Sequence, residues 1–318
     1  MRYLPTSRLT PGMALGQDIY DGAGRLLLGR HILLTEEQIS NLEFLGFPGV
    51  YVDDEFSRGI EIQQIVSPEV RRQALKIVYD LFHTDMRKQE PSEAEFKLRK
   101  TVESVVDDVI CNGDIMCNIM DIKSYDDYIY YHSIHVGILS VVVGARLGLP
   151  HDELCQLAAA ALLHDIGKRF IDHDIVRGGK AHRSEEEQEV YRSHPKIGAE
   201  YLRETCRFSA DVYEGIMEHH ECYNGEGYPL GKKGAEIHLF ARIIRIADCY
   251  DAKVSAFPAQ KSLSPSEALE YVMALGDRWF DPDIVAVFAR KVAAYPIGCE
   301  VELSNGQHAV VARNFENF

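Results

Sequence analysis

The chain has 318 residues, 46% of them hydrophobic and 26% charged, with a formal net charge of −15. That composition suits a globular protein with a sizeable core in two or three units, and the acidic balance, with no lysine or arginine run, excludes a protein that coats duplex DNA or RNA. The N-terminal MRYLPTSRLTPG has no apolar run behind its arginine, and the stretches Val136–Val143 and Leu157–Leu163 are too short to span a bilayer, so the expectation is a cytoplasmic protein with no membrane partner.

Residues 1–58 read as a small α/β unit. Gln17–Tyr20 and Arg25–Leu28 flank an Asp21-Gly22-Ala23-Gly24 turn, Thr35 caps a helix through Leu45, and Val50–Val52 is a strand after Pro48-Gly49. Nothing there looks catalytic; a regulatory or contact-making role and a purely structural cap are both open. Residues 59–112 read as a helical linker. Ser67-Pro68-Glu69 is an N-cap with proline at the first helical position, and Val70, Ala74, Ile77, Val78 and Leu81 recur at helical spacing. A second helix carries Phe96, Val102, Val105, Val106 and Ile110. One apolar stripe on each implies packing on the next domain or on a second copy of the chain, as a homodimer.

Residues 113–297 read as all-helical. The predicted helices are Ser124–Leu147, the apolar run Leu154–Leu163, one opened by the capping box Ser184-Glu185-Glu186-Glu187 and stopped at His194-Pro195, Ala210–His220, and Ile237–Ser255. Ser264-Pro265 and Asp281-Pro282 start two more. Residues 298–318 predict a β-hairpin tail, Cys299–Leu303 and His308–Ala312 about a Ser304–Gln307 turn. The fold class is therefore mainly α: a helical bundle with a small N-terminal α/β unit and a short C-terminal hairpin. The seven cysteines form no CxxC pair and read as reduced core thiols.

The run LCQLAAAALLHDIGK delivers His164 and Asp165 at the end of an apolar helix, with Lys168 three residues on. An imidazole and a carboxylate so placed can bind metal, and the carboxylate can bridge two ions. His151-Asp152 and His173-Asp174 lie in polar surroundings and read as a helix start and a loop. Further potential ligands fall at helix ends or on apolar faces: His132, His194, His219, His220 and Asp248. Asp248 on a hydrophobic helix is costly unless paired, with Arg242 or Arg245, or bound to metal. His135, three residues after His132, competes for the same role. Five histidines and two aspartates on separate helices suit an imidazole and carboxylate cage for first-row metals.

His164-Asp165-Ile166-Gly167-Lys168, with His219-His220-Glu221-x-x-Asn224-Gly225-x-Gly227-Tyr228-Pro229, resembles the HD-GYP family of cyclic di-GMP phosphodiesterases. The likeness extends through His132-Ser133, His194-Pro195-x-x-Gly198 and Ala241–Ala252, over roughly residues 100–297. The resemblance implies an HD-domain bundle that hydrolyses cyclic di-GMP to pGpG, with GMP as an alternative end product, using two divalent ions, iron or manganese. His132, His164, Asp165 and Asp248 would hold one ion, and Asp165 would bridge to a second held by His194, His219 and His220. A bridging water would attack phosphorus in line, Lys168 would neutralise a phosphate oxygen, and Gly227, Tyr228 and Pro229 would shape the substrate pocket. Some relatives recruit a third metal with a glutamate four residues before the first histidine; here that residue is Tyr128.

Three departures bear on the substrate. Phe257-Pro258-Ala259-Gln260 stands where the family has an Arg-Pro-Tyr-Arg-like stretch, Arg177-Gly178-Gly179-Lys180 alters a Lys-Pro-Gly loop, and Asn224 replaces an aspartate. Two lost charge-assisted contacts weaken or redirect binding by about tenfold to a hundredfold each. The chemistry of the donors is unaffected. A different cyclic dinucleotide or nucleotide substrate, and a binding module without turnover, are the alternatives.

Overall fold

The computed structural model describes residues 1–88, 91–118, 123–124, 126–178, 183–255 and 262–315. Its N-terminal unit contains β1 (Arg2–Pro5), β2 (Ala14–Leu15), the hairpin β3 (Ile19–Tyr20) and β4 (Leu26–Leu28), α1 (Glu36–Phe44) and β5 (Gly49–Asp53). β1 and β2 both pair antiparallel with β5, Arg2 and Leu15 lying opposite Val52. Thr35 and Gln38 close a capping box on α1, each side chain bonding the other's backbone amide. Strands this short need a packed face. Val50 and Val52 supply it, with Leu4, Leu15, Leu42 and Phe47. Tyr51 projects to the other face and is buried as well, because the unit is seated on the helices behind it.

α2 (Pro68–His83) and α3 (Pro91–Cys111) follow. Their stripes, Ala74, Ile77, Val78 and Leu81 on one and Val102, Val105, Val106 and Val109 on the other, merge into the same hydrophobic cluster as the rest of the bundle. Both stripes are thus covered within the chain, and they supply no argument for a homodimer. Phe96 and Ile110, expected in the second stripe, are 67% and 48% exposed. Ser67 does not cap α2 with its side chain; its Oγ donates to Asp108 of α3 at 2.8 Å.

The bundle continues with α4 (Tyr128–Arg146), α5 (His151–Leu163), a 3-10 turn (Ile166–Phe170), α6 (His173–Arg177), α7 (Glu185–Arg192), α8 (His194–Thr205) and α9 (Ala210–Glu218). It closes with α10 (Leu239–Val254), α11 (Pro265–Ala274) and α12 (Pro282–Lys291). α4 starts later than expected because Ser124 and Asp127 bond each other, Oγ to Oδ2 at 2.7 Å, in the preceding turn. By length and composition α4 could cross a membrane, unlike the shorter run considered above, yet 78% of that window is buried inside the bundle. His173-Asp174 opens a helix rather than a loop, since Asp172 accepts the Asp174 amide. His194-Pro195 likewise opens α8, where a proline in the first turn lacks only a donor that has no helical partner.

The tail hairpin, β6 (Glu300–Glu302) with β7 (His308–Val310), pairs as expected and returns to the N-terminal unit. Tyr3 N donates to Gly298 O at 2.8 Å, and Arg2 and Arg8 both pair with Glu300.

Candidate metal centre

A helix leaves its last carbonyls without partners, and three helix ends here use them to orient histidines. His164 follows α5, His194 lies two residues past α7, and His219 follows α9. Their Nδ1 atoms sit against Ala161 O at 2.7 Å, Tyr191 O at 2.7 Å and Ile216 O at 2.6 Å. A carbonyl can only accept, so each Nδ1 carries the hydrogen and each neutral ring keeps its lone pair on Nε2. Three imidazole lone pairs therefore converge on one place, an arrangement that favours a cation.

The chain approach is set by a pair of glycines. A Cβ on Gly167 would lie 2.0 Å from His194 O, and one on Gly198 would lie 3.0 Å from Gly167 N. Without side chains there, the 3-10 turn after Asp165 lies against the first turn of α8 and brings His194 beside Asp165.

Asp165 stands between two groups of nitrogens. Its Oδ1 is 3.2 Å from His194 Nε2 and 3.9 Å from His219 Nε2. Its Oδ2 is 3.4 Å from His164 Nε2 and 3.8 Å from His132 Nε2. These separations are those of ligands sharing an ion at bond lengths of about 2.0–2.2 Å. Asp165, His194, His219 and His220 make one group able to hold a metal, and His132, His164 and Asp165 another. Asp248 joins the second group through its Oδ1, 3.2 Å from His132 Nε2, and reaches the first through Oδ2, 3.8 Å from His220 Nδ1.

The chemistry of the donors fits cations. His194 Nε2 and His219 Nε2 face each other at 3.3 Å, although both rings have placed their hydrogens on the far side; two lone pairs so close repel unless a positive charge lies between them. His164 Nε2, Asp165 Oδ1 and His220 Nε2 are buried with no hydrogen-bond partner, which is costly for polar atoms in a dry interior.

His132 lies within α4 and has no helix end to hold it. Its Nδ1 instead donates to Asp251 Oδ2 at 2.7 Å. Asp251 also accepts from His135 Nδ1 at 2.8 Å and pairs with Lys123 at 3.2 Å. His135 thus pairs with Asp251 and, of the two competing histidines, His132 alone reaches the cluster. Tyr128 stacks on the His132 ring, centroids 5.2 Å apart. Of the two arginines, Arg242 pairs with Asp281 at 2.6 Å, whereas Arg245 lies 3.7 Å from Asp248.

Burial lowers the pKa of His194, and of His219 and His220 well below the ordinary value with neighbouring imidazoles adding to the effect. These rings are neutral, as ligands must be. Burial also works against charge on His132, but its bonds to Asp248 and Asp251 outweigh that and push it up to about 9. Burial would raise Asp165, yet Lys168 and His164 hold it well below the usual carboxylate range.

A cleft of about 640 Å³ opens over the cluster, lined by His132, His220, Asp248, Lys168 and Tyr228. Among the described lining residues it also gathers Arg169, Arg177, Arg183, Arg192, Arg245 and Lys253, against Asp126 and Asp248 as acids. A strongly acidic chain has concentrated positive charge at one opening, which suits an anionic ligand. Arg183 lies 3.6 Å from the Tyr191 ring centre and Arg192 5.6 Å from that of Tyr228. Lys168 Nζ contacts Asp165 Oδ2 at 2.5 Å, so in this structure it balances the carboxylate. Tyr228 stacks on His220 with centroids 4.8 Å apart. Gly227 and Pro229, expected in the pocket wall, are absent from the described lining. A Cβ on Gly227 would lie 2.2 Å from Cys222 N, so the close approach that needs glycine is to the chain's own backbone. Gly179, Lys180, Phe257 and Gln260 lie outside the described residues.

Sequence reasoning assigned no role to Asp251, Lys123, Arg183 or Arg192. Asp251 alone carried a signal, a second acid one turn after Asp248 on the same hydrophobic helix.

A family model described as HD domain matches residues 118–284. The cyclic di-GMP phosphodiesterase PA4108 of Pseudomonas aeruginosa is 33% identical over 211 residues, 66% of this chain and 50% of its own. The cyclic di-GMP phosphodiesterase response regulator RpfG of Xanthomonas campestris pv. campestris is 39% identical over 151 residues, 47% of this chain and 39% of its own. The chain thus spans half or less of the length of these relatives. In fold, it is similar to Bd1817, an HDG"Y"P protein from Bdellovibrio bacteriovorus, with a TM-score of 0.55 at 18% identity over 90% of this chain and 97% of that one. These matches bear out the resemblance read from the sequence.

Proposed function

The chain belongs to the HD domain family, and from that premise we propose that it is a cytoplasmic metal-dependent phosphodiesterase that hydrolyses cyclic di-GMP to pGpG and then GMP. The observation that carries this reading is the divided carboxylate of Asp165, one oxygen turned to His194 and His219, the other to His132 and His164. His132, His164, Asp165 and Asp248 would hold one ion, and Asp165, His194, His219 and His220 would hold the other. Iron and manganese suit these nitrogen and carboxylate donors. With Tyr128 rather than a glutamate beside His132, the number is two.

Divalent ions held there supply Lewis acidity and a water of lowered pKa. The chain's own residues do the rest. Asp251 and the three helix-end carbonyls fix the imidazole orientations, so the donors need no rearrangement. Lys168, which lines the cleft beside Asp165, would neutralise a non-bridging phosphate oxygen. Tyr228 packs on His220 and forms the wall against which a base can lie. Arg183 and Arg192, held over tyrosine rings at the opening, take the phosphate contacts that Phe257 and Gln260 do not provide. That substitution also favours a second reading, in which the substrate is another cyclic dinucleotide.

The purified protein, loaded anaerobically with iron(II) or manganese, separates these readings on a panel of cyclic dinucleotides. Turnover of cyclic di-GMP with loss in Asp165→Asn is the expected result. Turnover of another member alone favours the second reading; binding without product despite full metal loading overturns both.

A further inference from the structure

A second polar cavity, about 50 Å³, lies between the N-terminal unit and the bundle. Arg71 of α2 lines it beside Tyr51 of β5, Gln64, Cys117 and Ile138 of α4. Arg71 is the single charged group among the described lining residues. Among the described residues its one side-chain hydrogen bond is Nη1 to His135 Nε2 at 3.5 Å, and its Nε is buried without a partner. Gln64 Oε1, also lining the cavity, is buried and unpartnered too. A guanidinium has five donors and stays charged, and Arg71, partly buried with its Nε sealed from solvent, has no carboxylate beside it among the described residues, which is unfavourable. The neighbours cannot supply the missing charge: burial raises the Cys117 thiol to about 12 and pushes the Tyr51 phenol up, so both stay protonated.

We propose that this cavity is a binding site for one small inorganic anion of halide size, held by Arg71. The space admits one or two particles of the size of water, roughly 30 Å³ each, and no nucleotide. Water could bridge Arg71 Nε and Gln64 but would leave the charge unmatched. A flip of the Gln64 amide, which exchanges its nitrogen and oxygen, turns N–H toward the occupant, and Tyr51 lines the same space as a protonated donor.

The site is wired to the metal centre. Arg71 donates to His135 Nε2, His135 Nδ1 donates to Asp251 Oδ1, and His132 Nδ1 donates to Asp251 Oδ2. An anion that draws Arg71 into the cavity therefore loosens the His135 contact and acts on a proposed ligand through three hydrogen bonds. It also ties that ligand to the seat of the N-terminal unit, since Tyr51 lines the same space. This inference stands apart from the phosphodiesterase reading and its test needs no turnover.

The test uses the metal-loaded full chain with bromide as probe. Sodium bromide, compared with sodium gluconate at matched ionic strength, should raise the unfolding midpoint of the wild type saturably and leave Arg71→Met unmoved. Ile62→Phe, which fills the cavity from a half-buried position and keeps Arg71, should abolish the response as well and serves if the first variant does not fold. Crystals grown in bromide should show an anomalous peak beside Arg71 Nε, and His135 15N signals should move with the same saturation. Equal bromide responses in wild type and Ile62→Phe, or an Arg71 cavity without an anomalous peak, overturn the proposal.

Discussion

The two halves of the donor cluster are oriented by different means. Around His194 and His219 the supports are backbone carbonyls at helix ends, which no side-chain substitution removes. Around His132 the support is the Asp251 carboxylate, itself shared with His135 and Lys123. The first half is built into the path of the chain and its rings are kept neutral by burial. The second shares that device at His164, held by Ala161 O, but its other imidazole, His132, is held by a side chain and pushed up to about 9. A donor cluster of this design has one half fixed by the backbone and one half in which a side chain sets a donor.

Asp165 belongs to both, so its loss has the largest effect. Asp165→Asn should reduce turnover by roughly a thousandfold or more, the scale of removing a principal electrostatic stabiliser, and bound metal should fall below two ions per chain. Retained activity would place the chemistry elsewhere. Next comes Asp251→Asn, which weakens one half alone. Metal affinity there should drop by about tenfold to a hundredfold, leaving the other ion in place when metal content is measured by calorimetric titration. Equal weakening of both ions would erase the distinction between the halves.

Smaller effects belong to the rim. Arg192→Ala should raise KM about tenfold with kcat little changed, as expected when a charge-assisted contact made equally in ground and transition states is lost. A drop in kcat instead would put Arg192 in the reacting centre. The least consequence for turnover, and the finest test of the comparison, is stability against pH in metal-free protein. His132 has a folded pKa raised to about 9, so its contribution is complete below its unfolded value of about 6.5 and disappears as pH rises through 9. His194, His219 and His220 are shifted the other way. Their neutral burial costs stability only as pH falls below about 6.5. Melting temperature should therefore decline from pH 6.5 to 9 in the wild type and lose that slope in His132→Gln; an unchanged slope assigns the proton to another group.

Much of the site was legible because its donors sit where sequence punctuation is strongest. His164, His194 and His219 mark helix ends, and a histidine after an apolar run is visible as such. Choosing between His132 and His135 was not possible from spacing. Three residues apart on a helix they share a face, and only the approach of α10 gives Asp248 to His132 while Asp251 serves both. Arg183 and Arg192 were illegible for a related reason: they lie just before and at the end of α7, a short helix, and what it overhangs is decided by packing. In the fold, α2 and α3 carried readable stripes, but the pattern could not say that the bundle rather than a second chain covers them. β5 was legible as a strand. Burial of both its faces follows from the seating of the N-terminal unit, which local sequence does not encode.

The most direct measurement is anomalous diffraction from manganese-loaded crystals. Two peaks are predicted, one on each side of Asp165, the first among His132, His164 and Asp248 and the second among His194, His219 and His220. A cluster without peaks under metal-replete conditions, or an ion that does not touch Asp165, would contradict the account.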